Sequence, residues 1–220
     1  MKEYNTVKGE CTAEITEKKS RFIATVRPVS SEDEALAFVA EMKKKYWDAR
    51  HNCSAYIVLG DMEQENFMSE NFKIPVIEKC SDDGEPSKTA GSPMLETIRG
   101  AGLKNVAIVV TRYFGGILLG TGGLVRAYSQ AALSGIEAAS VVKMKLMNRI
   151  EAIVDYNSYG RLTYIAGEEK AVITNTEFTD VVKCICLCDD TALGKIKSSM
   201  AEYTAGKCSI SLTGKGFYEV

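Results

Sequence analysis

The stretch RYFGGILLGTGGLVRAY, Arg112–Tyr128, places five glycines among bulky apolar residues. It follows the most strongly β-branched run of the chain, residues 104–114, which predicts a central β-strand. It leads into residues 122–140, where many small residues predict a helix that lies close on a sheet. Backbone freedom between a buried strand and a helix indicates a close approach, either of two elements of the fold or of a ligand.

This glycine-rich segment matches neither common phosphate-binding pattern. No Gly-Lys-Ser/Thr follows at the spacing of a P-loop, and Val125 stands where the dinucleotide fingerprint has its third glycine. The start of the following helix still offers free N–H groups and a positive dipole end to an anion, with Arg112 and Arg126 nearby in sequence. The sequence leaves open whether the glycines form an anion site or only a tight crossing of strand and helix.

A second motif, SDDGEPSKTAGSP at residues 81–93, carries three carboxylates on a Gly-Pro loop. Asp82, Asp83 and Glu85 could hold a hard cation or act as acid and base, although their spacing differs from that of a calcium-binding loop. Adjacent acids on such a loop are more typical of a turn in which Asp side chains bond backbone N–H groups, and we favour the turn. Ser87 and Thr89 offer hydroxyl groups that could contact a phosphate backbone.

The lone histidine and the closely spaced cysteines predict packing. His51 and Cys53 face the same side of a predicted strand, where parallel side chains do not converge as a nucleophile and its base must. Cys184, Cys186 and Cys188 also share one strand face and lack the Cys-x-x-Cys pairs of a metal site. We expect these thiols in a hydrophobic core.

The composition is that of an ordinary globular protein, with 45% hydrophobic and 25% charged residues among 220. The net charge of -2 argues against indiscriminate nucleic-acid binding but allows a local basic patch. The odd cysteine count, the lack of a long apolar run and a polar start predict a cytoplasmic protein with reduced thiols. The basic clusters are interpreted as solvated faces: Lys18, Lys19 and Arg21; Lys43, Lys44 and Lys45; Lys143, Lys145 and Arg149.

Hydrophobic periodicity predicts an α+β chain with two domains, residues 1–140 and 141–220. In the first domain the patterns predict two paired strands at residues 10–19 and 20–29. They also predict a helix capped by Ser31 at residues 31–47 and a further strand at residues 51–60. Residues 60–75 predict a loop, and a short helix capped by Ser92 runs to Gly100. The second domain has the order βαββαβ, which is that of a ferredoxin-like fold with two helices over one face of an antiparallel sheet.

Four segments resemble the signature segments of the YigZ/IMPACT family: KSRFIA, HNCSAY, SDDGEPSKTAGSPML and VVTRYFGGILLGTGGLVRAY. The similarity covers Glu10 to about Ser140, and the second half is similar to the small C-terminal domain of bacterial members. The resemblance implies an N-terminal domain with the fold shared by a ribosomal-protein domain and the fourth domain of elongation factor G. It implies a C-terminal domain similar to the fifth domain of that factor. Lys88 departs from the pattern, because the family usually has a small residue there, often glycine.

The paired resemblance to two domains of elongation factor G, which sit side by side on the ribosome, implies a role in translation. Eukaryotic relatives act in translational control, but they use an additional domain that we do not expect in this sequence, so their particular role does not transfer. Our leading hypothesis is a non-enzymatic protein that binds the ribosome, RNA or a translation-related protein. One alternative is a small-anion or metal-dependent enzyme that uses both motifs, and another is a protein-binding module. The sequence contains no cofactor motif, assigns no catalytic residue or metal ligand, and leaves the oligomeric state open.

The expected binding residues come from both motifs. In the first motif, arginines and N–H groups would contact phosphates, and aromatic rings could stack on a base if exposed: Arg112, Tyr113, Phe114, Gly115, Gly116, Gly120, Thr121, Gly122, Gly123, Arg126 and Tyr128. The second motif contributes Asp82, Asp83, Gly84, Glu85, Pro86, Ser87, Lys88 and Thr89.

Overall fold

The computed structural model describes residues 1–60 and 74–220, which form a mixed α+β chain. They divide into two compact units, the first of Met1 and Glu3–Lys143 and the second of Lys2 and Met144–Val220. The elements of these residues are β1 (Glu3–Val7), β2 (Cys11–Glu17), β3 (Ser20–Pro28), α1 (Glu32–Lys45), β4 (His51–Leu59), β5 (Val76–Ser81), α2 (Gly91–Gly100), β6 (Val106–Tyr113), α3 (Thr121–Ala138), β7 (Val141–Val154), α4 (Tyr156–Glu168), β8 (Val172–Phe178), β9 (Val182–Cys188), α5 (Asp190–Tyr203) and β10 (Ser209–Glu219). No helix in this described part of the chain is long and apolar enough to cross a membrane.

The first unit is built on a five-stranded antiparallel sheet with the order β2–β3–β6–β4–β5. β6 lies in the middle, and all its residues except Tyr113 are buried. A strand with neighbours on both edges and helices on both faces is apolar throughout, which explains the nearly continuous β-branched run. The predicted central strand is therefore confirmed.

Alternating residues of the sheet build two cores on its opposite faces. Ile108 and Val110 of β6 join the core that includes α2 and α3, whereas Ala107 and Val109 join the core that includes α1. The small residues of α3 allow the close packing that the sequence predicts. A Cβ atom on Gly135 would lie only 2.8 Å from Cγ2 of Val26 in β3.

The second unit has the predicted element order, β7–α4–β8–β9–α5–β10. Its strands pair antiparallel in the order β8–β9–β7–β10. Both helices pack on the sheet face that carries Cys184, Cys186 and Cys188, and these three thiols are buried in the core. All seven cysteines of the chain are free thiols, so the predicted packing role of this triplet is confirmed.

The structure corrects the prediction for the helix after the second motif. α2 begins at Gly91, with Ala90 as its N-cap and no capping bond from a side chain of that residue, so Ser92 is not the cap. Ser31, in contrast, accepts the N–H of Glu34 and caps α1 as predicted.

Two strands, β1 and β5, were not predicted from the sequence. β5 pairs with β4 and is largely exposed, so its residues lack the strict alternation that a half-buried strand shows. Of the predicted loop at residues 60–75, residues 61–73 lie outside the described part of the chain.

One end of the first unit collects the segments that carry both motifs. β6 ends where β3 and β4 begin, because Tyr113 lies opposite Arg21 and Arg112 lies opposite His51. We call this the loop end. It comprises the β2–β3 turn (residues 17–20), the segment after α1 (46–50) and two loops that carry the motifs. We call these the DDGE loop (82–90) and the glycine loop (114–120).

Candidate functional site

The two sequence motifs meet at a buried ion pair. Nη1 of Arg112, at the end of β6, donates to Oε1 of Glu85 in the DDGE loop at 2.5 Å. The side chains of Arg112 and Glu85 are only 7% and 4% exposed. The structure thus brings the DDGE loop and the RYFGG segment together, which the sequence could not establish.

Tyr128 of α3 also bonds to Glu85. Its hydroxyl donates to Oε1 of Glu85 at 2.9 Å, and its ring packs edge-on against Phe22, with 5.2 Å between the ring centroids. Burial raises the pKa of Tyr128 well above its ordinary value, so the hydroxyl remains a hydrogen-bond donor. Nε2 of His51 lies 3.8 Å from the same Glu85 oxygen.

Aromatic rings and one serine surround the guanidinium of Arg112. The guanidinium carbon lies 5.4 Å from the ring centroid of Phe22 and 5.6 Å from that of Phe114. Nη2 donates to Oγ of Ser20 at 3.4 Å, while Nε is buried without a hydrogen-bond partner. The ring faces attract the cation and offset part of the cost of burying it.

These contacts correct two expectations about the binding residues. Arg112 is 6% exposed and bonded to Glu85, so its guanidinium does not face solvent as a phosphate contact would. Tyr128 is fully buried and therefore does not stack on a base. Both residues hold the motif together from inside.

Asp82 organises the DDGE loop through backbone N–H groups. Its carboxylate accepts from Lys88 N at 2.8 Å, Ala90 N at 3.0 Å and Gly91 N at 2.8 Å, and so caps the start of α2 from nine residues away. Partial burial raises the pKa of Asp82, but the three N–H bonds outweigh this effect and lower it overall. The predicted turn with backbone-bonded Asp side chains is confirmed.

The other two carboxylates of the motif are also held. Asp83 accepts from Asn52 N at 2.7 Å and from Lys43 Nζ at 2.5 Å, and Glu85 lies in the buried pair. Within residues 1–60 and 74–220, no group of three or more His, Cys, Asp or Glu residues is arranged to hold a metal ion.

His51 and Cys53 fasten the DDGE loop to β4. Nδ1 of His51 donates to the carbonyl of Asp83 at 2.9 Å, and Sγ of Cys53 donates to the carbonyl of Asp82 at 3.0 Å. Burial raises the pKa of Cys53 to about 12, which keeps the thiol protonated. The predicted packing role of this pair is confirmed, and its target is the second motif.

Lys88, where the sequence departs from the family pattern, lies in a tight part of the DDGE loop. Lys88 has a φ of +63° and Asp83 a φ of +42°, both in the left-handed region that favours glycine. Glycine would adopt this conformation without steric cost because it has no Cβ atom. Here the lysine adopts it, and its own N–H is held by Asp82.

Two glycines of the glycine loop are needed for different reasons, Gly115 for a close backbone contact and Gly120 for its positive φ. A Cβ atom on Gly115 would lie 2.0 Å from the carbonyl carbon and oxygen of Lys19, so the loop crosses the β2–β3 turn backbone to backbone. Gly115 N donates to Oγ of the buried Ser20 at 3.2 Å, a contact that sequence reasoning missed because only strand register reveals it. Gly120, with a φ of +72°, turns the chain into α3.

The remaining predicted residues include the exposed part of the motifs. Phe114 is 45% exposed, and Tyr113 donates its hydroxyl to Asp48 at 2.8 Å. At the start of α3, no side chain among the described residues caps the first N–H groups, and exposed Arg126 donates to the carbonyl of Gly122 at 3.3 Å. Other exposed positions are Gly84, Pro86, Ser87, Gly116 and Thr121. Gly123 is half-buried, and Thr89 is buried and donates its hydroxyl to the carbonyl of Pro86.

Comparisons with known proteins define the class of this chain. A family model described as the Impact N-terminal domain matches residues 18–136, and one described as a domain of unknown function (DUF1949) matches residues 153–207. IMPACT family member YvyE of Bacillus subtilis is 38% identical over 207 residues, which cover 94% of this chain and 89% of that protein. Protein IMPACT of Mus musculus is 34% identical over 108 residues, 48% of this chain and 30% of that protein. A crystal structure of a hypothetical protein matches with a TM-score of 0.61 at 27% identity, covering 96% and 98% of the two chains.

The chain therefore belongs to the YigZ/IMPACT family. The matched N-terminal model contains the whole of the DDGE loop, the glycine loop and the buried pair.

We predict that Gly115→Ala destabilises the protein whereas Gly122→Ala does not. The new methyl group at position 115 would overlap the backbone of Lys19, and relieving such a clash costs roughly 1–3 kcal/mol or more. Gly122 is helical, and a methyl group added there would have no atom within 4 Å, so alanine raises the free energy of unfolding by about 0.4–1 kcal/mol. Urea denaturation of both variants measures the difference; equal stabilities would contradict the crossing.

Removing either partner of the buried pair should be costly. Glu85→Ala or Arg112→Met leaves a buried charge without its partner, at roughly 3–5 kcal/mol in the free energy of unfolding. The double variant should lose less than the sum of the single losses, which a double-mutant cycle measures. The exposed pair Arg21–Glu14 on β2 and β3 serves as the control, where the same cycle should yield about 0–1 kcal/mol. Similar coupling in the two pairs would contradict this account.

The capping role of Asp82 predicts a pH-dependent contribution to stability. Because its folded pKa is lowered, the stabilisation is present above the unfolded pKa, near 4, and is lost as the pH falls through the folded pKa. Asp82→Asn should therefore reduce the free energy of unfolding by about 1–2 kcal/mol at pH 7 and by less below pH ~4. Asp180→Asn, in an exposed turn of the second unit, is the control. A pH-independent gap between wild type and Asp82→Asn would refute the ionic cap.

Proposed function

We propose that this protein is a non-enzymatic, translation-associated regulator that binds the ribosome through the loop end of its first unit and the adjoining start of α3. Membership of the YigZ/IMPACT family supports the proposal, because the resemblance to that family implies a role in translation. We further propose that residues 1–140 form a domain similar to the fourth domain of elongation factor G, and that residues 141–220 form a ferredoxin-like domain. We also propose that the protein is cytoplasmic, since ribosomes are found there.

The observation that carries the proposal is that some residues of the two motifs are buried and bonded to one another, whereas others are exposed to solvent. The buried members, Arg112, Glu85 and Tyr128, hold one another, and the exposed members are uncapped N–H groups at the start of α3 with Arg126 beside them. Free N–H groups and an exposed guanidinium suit phosphate oxygens of ribosomal RNA. Such contacts position a protein on RNA without reading its sequence.

The enzymatic alternative has less support from the same contacts. Each carboxylate of the DDGE loop is bonded to a fixed partner, and the ion pair fills the space where the two motifs meet. A general acid or base must reach a substrate proton, and Glu85 is 9% exposed.

A protein partner is the second candidate, because the glycine loop exposes apolar side chains. Phe114 is 45% exposed, Ile117 42% and Leu118 82%. Such side chains suit the anchor positions of a protein interface. The glycine loop crosses the β2–β3 turn at the backbone of the basic residue Lys19, and this favours RNA over an apolar protein surface.

Arg126→Glu should weaken co-sedimentation with ribosomes and ribosomal subunits and reduce its salt dependence. Losing one phosphate contact lowers the slope of log K against log salt by about 1. Arg112→Glu is unsuitable for this test because it would disrupt the buried pair. Lys197→Glu on α5 is the control, with the same change of charge on an exposed residue of the second unit. Unchanged binding of Arg126→Glu, or no ribosome binding by the wild type at any salt concentration, would count against the proposal.

A further inference from the structure

A basic surface lies at the loop end, formed by the β2–β3 turn, the start of β3, the end of α1 and the segment after α1. It carries a fully solvated indole, because Trp47, the only tryptophan of the chain, is 82% exposed. We call it the Trp47 surface, and its exposed residues are Lys18, Lys19, Arg21, Lys44, Lys45, Trp47 and Arg50.

Strand register and hydrogen bonds bring the start of β3 and the segment after α1 together. Arg21, just after the β2–β3 turn, lies opposite Tyr113 in the sheet, with its guanidinium carbon 5.5 Å from the centroid of the tyrosine ring. The hydroxyl of Tyr113 in turn donates to Asp48, the neighbour of Trp47. The segments are separated by more than twenty residues in sequence but share Tyr113 as a common contact.

The Trp47 surface has an excess of unpaired positive charge. Arg21 is bonded to Glu14, whereas the lysines and Arg50 form no ion pair with any residue of the described part of the chain: Lys18, Lys19, Lys44, Lys45 and Arg50. The acids beside them are Glu17, Glu41 and Asp48; Glu41 is already bonded to Arg27, and Asp48 accepts the hydroxyl of Tyr113. In a chain of net charge -2, this is a local concentration of positive charge.

The combination of charge and ring selects the class of partner. The centre of a protein interface is depleted in lysine, whereas here two exposed lysines, Lys44 and Lys45, lie within three residues of the exposed Trp47. Single-stranded nucleic acid requires both features, cations for the phosphates and an aromatic face for an unpaired base. A duplex would offer the phosphates but keep its bases stacked on one another.

We propose that the Trp47 surface binds single-stranded RNA, with the indole of Trp47 stacked on an unpaired base and Lys44, Lys45 and Lys19 contacting the flanking phosphates. This inference rests on the proposed function and names the form of RNA that the loop end recognises. It assigns the contact to residues outside both sequence motifs.

Trp47 itself reports on the binding, because it is the only tryptophan. We expect a twelve-nucleotide oligouridine to quench the tryptophan fluorescence of the wild-type protein, and an RNA hairpin stem with the same number of phosphates to quench it much less. Fluorescence anisotropy of the labelled oligouridine then measures affinity. Trp47→Ala should weaken binding about 5- to 150-fold, the loss of one stacked base, and Trp47→Phe should restore part of it. At 82% exposure, neither substitution removes core packing.

The lysines are tested by alanine substitution. Lys44→Ala/Lys45→Ala should lower the salt slope of oligouridine binding by about 1.4, since each phosphate contact on a single strand contributes about 0.7. Lys197→Ala/Lys207→Ala removes the same charge from exposed positions of the second unit and should leave the slope unchanged.

The outcomes separate this inference from the proposed function. The inference would be overturned if wild type and Trp47→Ala bound oligouridine with equal affinity, or if polyglutamate of the same charge competed for the protein as well as oligouridine does. In either case ribosome co-sedimentation could still support the proposed function. Trp47-dependent oligouridine binding without any ribosome binding would uphold the inference and refute the proposed function. No oligouridine binding by the wild type would overturn the inference.

Discussion

The Glu85–Arg112 ion pair is the contact on which the loop end depends. Moving two such charges out of water costs several kcal/mol for each ion, so the pair persists only with good geometry and further bonds. Tyr128 and Ser20 supply those bonds, and the rings of Phe22 and Phe114 enclose the cation. Because these partners come from α3, β3 and the glycine loop, one pair holds the DDGE loop, the central strand and α3 in register.

The buried pair divides each sequence motif into an inner and an outer part. In the DDGE loop, the carboxylates bond backbone or core partners, while Pro86, Ser87 and Lys88 remain exposed. In the glycine-rich segment, Arg112 is internal and Arg126 is external. A motif shared across a family can therefore be shared for packing as much as for binding. The basic surface around Trp47 lies outside both motifs.

Much of the fold follows from local sequence patterns. The central strand β6 is recognisable because a strand covered on both faces is apolar throughout, and Ser31 caps α1 as its position predicts. The edge strand β5 escapes prediction because exposed residues relax the alternation. The cap of α2 also escapes, because Asp82 reaches it across a loop and local rules consider only adjacent residues.

The sequence by itself determined the α+β class, the two-part organisation, the packing of the cysteines and the family resemblance, since these depend on periodicity and on residues close in the chain. It also predicted that the aspartates of the DDGE loop bond backbone N–H groups. Only the tertiary structure decided that Arg112 is buried and that Tyr113 contacts both Asp48, the neighbour of Trp47, and Arg21 of a distant hairpin. Burial and proximity depend on strand register and on contacts between residues far apart in sequence, and neither leaves a periodic signal in the chain.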